Sequence, residues 1–412
     1  MRRKAQIVVQ INTVCNNSTG RIMHDIQQIA MESGYTTISF VGRRRVYTDL
    51  PCVKFGNPIS FWVHVALNTV LDRQGYGSFF QTKKLVSKLR EIQPDIIHLH
   101  NLHGYYLHIS TLFDYLFYEY KGSVYWTFHD LWPITGHCPH YNNAECDKWK
   151  TQCFQCPNKG EYPISWFLDS SRKNYIEKKE MFSRIKNLHI IVPSKWMKEQ
   201  VEQSYLKDKK ISVVSNGIDL NVFSIPKSEV ENRRELKDKY GIPINKKIIM
   251  GIASVWEPRK GLARFHKLSK ILSDEYKIVL VGLSKQQIRS CPSDIISISR
   301  TENKYDLAKI YAASNVLINF SKEESFSLIT IEAMACGTPV IGYGASAVGE
   351  LINQKNGEII TSDDEEEIAK AVYKVCEKEW SPQEIRETVI DFSSDKMGKK
   401  IIELYNKKTE CI

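Results

Sequence analysis

The sequence predicts an α/β protein built from two doubly wound parallel-sheet domains, and three observations carry that prediction. Short β-branched runs alternate with helical stretches from residue 7 onward. The rhythm breaks in a polar stretch at 225–239 and restarts at 248. At 412 residues the chain is long for one core, and about 150 residues per domain gives two or three domains. The strand-like runs are continuously apolar, as expected of a parallel sheet covered on both faces.

The first domain is expected over residues 1–224. Residues 7–11 form a strand, 21–32 a helix and 36–41 the next strand. In the connection Asn16-Asn17-Ser18-Thr19-Gly20-Arg21, Gly20 can bring backbone N–H groups close to a phosphate at a helix start. No Gly-x-Gly-x-x-Gly occurs there, which counts against a nicotinamide dehydrogenase. The apolar segment 59–71 is interrupted by His64 and Asn68 and falls short of the ~20 residues of a membrane span, so it reads as a core or interfacial helix.

Residues 94–101 form a buried strand with polar residues at its carboxyl end, the edge where α/β sheets bind ligands. His98, His100, His103 and His108 cluster here, but no carboxylate spacing completes a metal site. The strand at 122–128 ends in His129, which belongs at a ligand-binding sheet edge rather than in the core. An insertion at about 137–160 follows. Its Cys138, Cys146, Cys153 and Cys156, with His137 and His140 beside them, admit either structural zinc or unliganded thiols packing a loop. Strands at 188–193 and 211–216 complete the domain, the second ending in Asn216-Gly-Ile-Asp219.

The second domain is expected over 225–395, with strands at 248–253, 278–281, 295–298, 316–320 and 340–341 and a helix at 306–313. After its first strand, Arg259 and Lys260 precede Gly261, two cations at a helix start that suit a diphosphate. After its fourth strand, the loop 321–325 leads into a helix with Glu324 at the entrance and Glu332 about two turns in. Gly337 stands where a left-handed terminal residue belongs, and Pro339 prevents continuation. The unpaired N–H groups of a helix entrance suit a phosphate, and a nearby carboxylate accepts hydrogen bonds from hydroxyls. A final helix is expected at 396–404, within a terminal segment 396–412.

The spacing Glu324-x7-Glu332, followed by Ala-Met-Ala-Cys-Gly337-Thr-Pro339-Val-Ile, resembles the donor-site signature of retaining GT-B glycosyltransferases of family 4. The Asn216-Gly-Ile-Asp219 and Lys260-Gly261 segments resemble further markers of that family, so the resemblance covers nearly the whole chain. It implies two Rossmann-like domains facing across a cleft, with the terminal segment crossing back to the first. It also implies that Glu324 contacts the transferred sugar, Glu332 the nucleotide ribose, and Lys260 the diphosphate.

The family commonly has an Arg where this chain has Val255, and Arg259 is the candidate to replace it. Gly20 matches the family's glycine-rich loop by its place in the order. His129 falls where the family sets a histidine against the donor sugar, and Arg300-Thr301 where its chain passes the base. Ser325-Phe326-Ser327 departs from the usual glycines beside the Phe, and with Leu328 completes the expected donor-binding set.

The formal net charge of +10 implies acidic partners. Arg43-Arg44-Arg45, residues 83–90, and Lys399, Lys400, Lys407 and Lys408 form separate basic patches without any nucleic-acid module. A polyphosphate ligand or an anionic membrane surface is favoured over nucleic acid. The start lacks a signal-peptide pattern, so a cytoplasmic protein peripherally attached to the membrane is expected.

The reading is therefore a hexosyltransferase using a UDP- or GDP-sugar and a lipid-linked glycan acceptor, with retention, no required cofactor and no catalytic metal. No Asp-x-Asp near a strand end offers to hold a divalent ion on the diphosphate. A nucleotide-sugar epimerase of the same architecture and a catalytically silent basic binding protein remain as alternatives.

Overall fold

The computed structural model describes residues 5–43 and 49–407. Arg44, Arg45 and Lys408 of the basic patches lie outside the described residues. The chain divides into two compact units, one running to Asn216 and resuming at Ser394, the other Gly217–Ser393. The division therefore falls earlier than the expected 224/225 boundary. Ile218, Val222 and Phe223 belong to the apolar core of the second unit, so the chain joins that unit before the polar stretch begins.

The first unit holds a seven-stranded sheet: β1 Ile7–Asn12, β2 Thr36–Val41, β3 Cys52–Lys54, β4 Ile96–Leu99, β5 Ser123–Thr127, β6 Leu188–Val192 and β7 Lys210–Val213. All neighbours are parallel, in the order β3-β2-β1-β4-β5-β6-β7. The winding reverses between β1 and β4, so their carboxyl ends border the crevice where such sheets take ligands. Its first helices are α1 Asn17–Glu32, α2 Pro58–Leu71, α3 Phe79–Ile92 and α4 Ile109–Tyr118.

Helix α1 starts before Gly20 rather than after it. A Cβ on Gly20 would meet the Cys15 carbonyl carbon at 2.4 Å, so this glycine lets the first turn close over the preceding loop. The C-terminal helix Ser394–Asn406 packs on this unit. Gly398 lets it approach α1, since a Cβ there would lie 2.1 Å from Ile29 Cδ1. Near its end Tyr405 hydroxyl lies 2.6 Å from His98 Nδ1.

The second unit holds six parallel strands, β8 Lys247–Ile252, β9 Tyr276–Val281, β10 Ile296–Ile298, β11 Val316–Asn319, β12 Val340–Tyr343 and β13 Gly357–Ile360, in the order β10-β9-β8-β11-β12-β13. Alternate residues feed separate cores on the two faces: Met250, Leu317 and Val340 on one, Ile249, Ile318 and Ile341 on the other. Here the winding reverses between β8 and β11.

The insertion brings Cys138, Cys146, Cys153 and Cys156 to the wall of one small cavity with His137 and Trp149, all four as free thiols. The Cys138 and Cys156 thiols share a hydrogen bond, and Gly136 N–H donates to Cys153 Sγ at 3.2 Å. His137 is engaged at Nδ1 by Asp72. Among the described residues no three His, Cys, Asp or Glu side chains stand as a metal ion needs them.

Candidate functional site

In the second unit the expected site residues converge at the reversal of the winding. Lys260 follows β8 and Glu324 follows β11, so two neighbouring strands deliver them to the same edge. Gly261 makes the approach possible: it has φ +77°, and a Cβ there would meet Phe320 Cβ at 2.5 Å. Lys260 Nζ is hydrogen-bonded to Glu324 Oε1, and both side chains remain partly exposed, at 18% and 16%. Burial alone pushes the Glu324 carboxyl up; the Lys260 cation and then Arg259 outweigh it and hold the group below the ordinary carboxylate value. Arg259 is braced by Glu257 at 2.9 Å and reaches the Glu323 carbonyl at 3.4 Å.

The loop after β12 holds this approach in place, and sequence reasoning missed it. Glu324 N–H donates to Ser346 Oγ at 3.1 Å, and Ala347 N–H donates to the Glu324 carbonyl at 3.3 Å. Gly344 and Gly349, which pack so closely that a Cβ on Gly349 would meet the Gly344 oxygen at 2.5 Å, were the available signal.

The helix after the loop is Leu328–Ala335, so Glu324 lies ahead of it and Glu332 one turn inside rather than two. Long-range packing sets the later start. Phe326 is buried against Phe392 with ring centroids 5.7 Å apart, and the Ser327 hydroxyl bonds Asn319 Nδ2 at 3.0 Å and Thr330 at 2.8 Å. The Phe326 ring and Ser327 hydroxyl, both expected to face the donor, are thus committed to the interior. Ser325 and Leu328 are partly exposed.

Glu332 is buried and accepts from the Tyr311 hydroxyl at 3.1 Å. The helix ends with Gly337 at φ +85°, its N–H donating to Met334 and that of Thr338 to Ala333. Arg300 is exposed and Thr301 half-buried, after β10.

In the first unit the sheet edge carries stacked imidazoles, with the Asp130 carboxylate beside them. His98 and His100 share a face of β4 and its continuation, ring centroids 4.4 Å apart, and His100 stacks on His129 at 5.3 Å. Burial, followed by repulsion from neighbouring imidazoles, lowers His98 to about 3 and His100 well below its ordinary value; burial also lowers His129 to about 4, against a smaller upward pull from Asp130.

The rings are therefore neutral near pH 7, and their protons can be placed. Gln10 on β1 donates its amide nitrogen to the Met23 carbonyl at 3.0 Å, which leaves Oε1 as acceptor toward His100 Nε2 at 2.9 Å. His100 Nε2 then carries the proton, its Nδ1 accepts from His129 Nε2 at 3.1 Å, and His129 Nδ1 keeps a lone pair. Gln10 is the second residue that sequence reasoning missed. Its signal was a buried polar side chain in the middle of a strand that is otherwise apolar up to its terminal Asn12. His103 and His108 are engaged elsewhere, His103 with Asp130 at 2.6 Å and His108 as the cap of α4, so the four histidines form no metal cluster.

Comparison with known proteins covers both units. Residues 46–222 match the model of Glycosyltransferase Family 4, and residues 246–378 that of Glycosyl transferases group 1. The Escherichia coli protein named "Putative colanic acid biosynthesis glycosyl transferase WcaC" is 23% identical over 335 residues, covering 77% of this chain and 78% of that protein. Among solved structures, sucrose-phosphate synthase from Thermosynechococcus elongatus has TM-score 0.70 at 16% identity, over 98% of each chain. Anabaena HepE in complex with UDP and glucose has TM-score 0.67 at 14% identity, over 97% of this chain and 99% of that one. At these identities the solved structures establish the GT-B fold, and the matched families establish glycosyl transfer.

Proposed function

Because the chain is a group 1 glycosyltransferase of GT-B fold, we propose that it moves a sugar from a UDP- or GDP-sugar to a lipid-linked glycan acceptor, with retention of anomeric configuration. The observation that carries this reading is the Lys260–Glu324 pair at the sheet reversal of the second unit: a cation suited to a diphosphate hydrogen-bonded to a carboxylate suited to sugar hydroxyls. Lys260 and Arg259 neutralise the departing phosphate, Glu324 orients the sugar, and Glu332 takes the ribose. Arg300 and Thr301 flank the base, and backbone groups around Ser325 and Leu328 approach the diphosphate.

His129, a neutral imidazole at the carboxyl end of its strand, orients a hydroxyl of the transferred sugar and is not an obligatory base. The acceptor hydroxyl then attacks on the face the phosphate leaves, a phosphate oxygen takes its proton, and no metal is required. The colanic acid role in the name of WcaC, with the O-antigen chain mannosyltransferase RfbU of Salmonella typhimurium, supports a place in capsule, exopolysaccharide or O-antigen assembly, and the UDP and glucose bound by HepE support a UDP-sugar donor. We place the enzyme at the cytoplasmic face of the membrane, peripherally attached; among the described residues no helix is long and apolar enough to cross one.

Incubation with candidate nucleotide sugars, with and without a glycan acceptor and in EDTA, tests the proposal. Acceptor-dependent product bearing the donor's anomeric configuration by NMR is expected. An inverted product, loss of activity in EDTA, or a changed nucleotide sugar formed without acceptor, as an epimerase would give, contradicts it.

A further inference from the structure

Helix α2 is inside out. Its buried residues are the polar His64 and Asn68, while Ile59 is 79% exposed, Trp62 66%, and Val63, Val70 and Leu71 also face outward. The inward polar pair fixes that rotation. His64 Nε2 accepts N–H groups of Gly75 at 3.1 Å and Gly77 at 3.3 Å, and its Nδ1 bonds Ser78 Oγ at 3.1 Å. Asn68 Nδ2 donates to the carbonyls of Ile164 at 2.9 Å and Pro163 at 3.3 Å.

The same contacts seat residues 162–168 alongside the helix, where Trp166 N–H donates to Thr69 O at 2.8 Å and Leu168 N–H to Val70 O at 3.2 Å. Ile164, Trp166, Phe167 and Leu168 extend the exposed apolar face, Trp166 at 72%. Neither α2 nor residues 162–168 contain a charged side chain.

We propose that α2 and residues 164–168 form one membrane-docking surface, whose Trp, Phe, Ile and Leu side chains insert into the interface of an anionic bilayer. This deepens the peripheral attachment in the functional reading above and rests on it for its purpose. Tryptophans beside aliphatic side chains suit the boundary between headgroups and acyl chains.

The surrounding charge selects the occupant. Arg43 lies 4.4 Å over the Phe61 ring, Lys83 4.5 Å over the Phe79 ring, and Lys159 donates to the Phe167 carbonyl at 3.3 Å. A second copy docked on this face would bring such cations against their own kind. Anionic headgroups neutralise them while the apolar side chains pass beneath.

The test uses the full chain and vesicles without donor or acceptor. Wild-type protein should sediment with phosphatidylglycerol-containing vesicles, keep part of that binding at high salt, and have its tryptophan fluorescence quenched by brominated lipid. The Trp62→Glu/Val63→Glu variant and Trp166→Glu should each bind at least about tenfold more weakly. Val230→Glu, at an exposed apolar position of the second unit, should bind as wild type.

Binding abolished by salt alone, absence of quenching in the wild type, or unchanged binding by both variants overturns the proposal. So does a wild-type dimer that Trp62→Glu converts to monomer. Because quenching is read on the wild type, a variant that fails to fold leaves the test intact. Glycosyl transfer to a soluble acceptor, unaffected by any of these outcomes, separates this proposal from the functional one.

Discussion

The two sheet reversals solve different problems with the same topology. At β8/β11 the chain delivers charge: Lys260 and Arg259 beside Glu324, partly exposed, with the carboxyl held ionised. At β1/β4 it delivers direction: stacked neutral imidazoles whose protons are ordered from Gln10 outward to His129. The second-unit edge, proposed to meet a diphosphate, keeps its cations near water, where desolvation costs least. An edge that must orient hydroxyls can bury its groups, because neutral hydrogen bonds lose little there when fully paired.

The comparison is broken most forcefully at Lys260. Lys260→Met leaves the Glu324 carboxylate without its first partner and removes charge from the departing phosphate, so kcat should fall about 10²- to 10³-fold. A fall of less than tenfold, measured with the preferred donor, would move the charge-bearing role elsewhere. Glu332→Ala should mainly weaken nucleotide binding, by ~1.5 to 3 kcal/mol in calorimetry with UDP, since the lost interaction is a charge-assisted hydrogen bond. Unchanged affinity would mean that Glu332 serves the interior, where it accepts from Tyr311, and not the ribose.

Smaller effects sharpen the first-unit half. Gln10→Leu removes the acceptor that orders the relay, so kcat should fall about five- to tenfold, or ~1 to 1.5 kcal/mol, with UDP affinity unchanged. Because His129 titrates at about 4, the pH profile of kcat should show no inflection of histidine type between about pH 6 and 8. Stability behaves differently. His98, His100 and His129 are all depressed in the folded state, so the unfolded chain binds more protons once pH falls below about 6.5, and stability should drop with pH from there toward about 4. Urea melts at several pH values check the sign.

How far all this was legible depends on where each contact is made. The meeting of Lys260 with Glu324 was legible because Lys260-Gly261 and Glu324-x7-Glu332 are local patterns, each following a strand. The helix boundary between them was not, since Phe326 and Ser327 are pulled out of the helix by Phe392 and Asn319. The edge strands β3 and β13 are short and partly exposed, and gave no apolar run to find.

His129 was expected at the sheet edge from its place after a strand, whereas Gln10 and His100 are ninety positions apart and meet only because β1 pairs with β4. The segment around α2 gave a choice of core or interfacial helix. Only the inward hydrogen bonds of His64 and Asn68 show its apolar face turned outward.

The most direct test of the division of labour measures UDP affinity by calorimetry and kcat by turnover for two variants side by side, Lys260→Met and His129→Ala. The account predicts that Lys260→Met weakens UDP and lowers kcat, while His129→Ala lowers kcat and leaves UDP affinity at the wild-type value. If His129→Ala weakens UDP as much as Lys260→Met does, the two edges do not divide charge from direction, and the account fails.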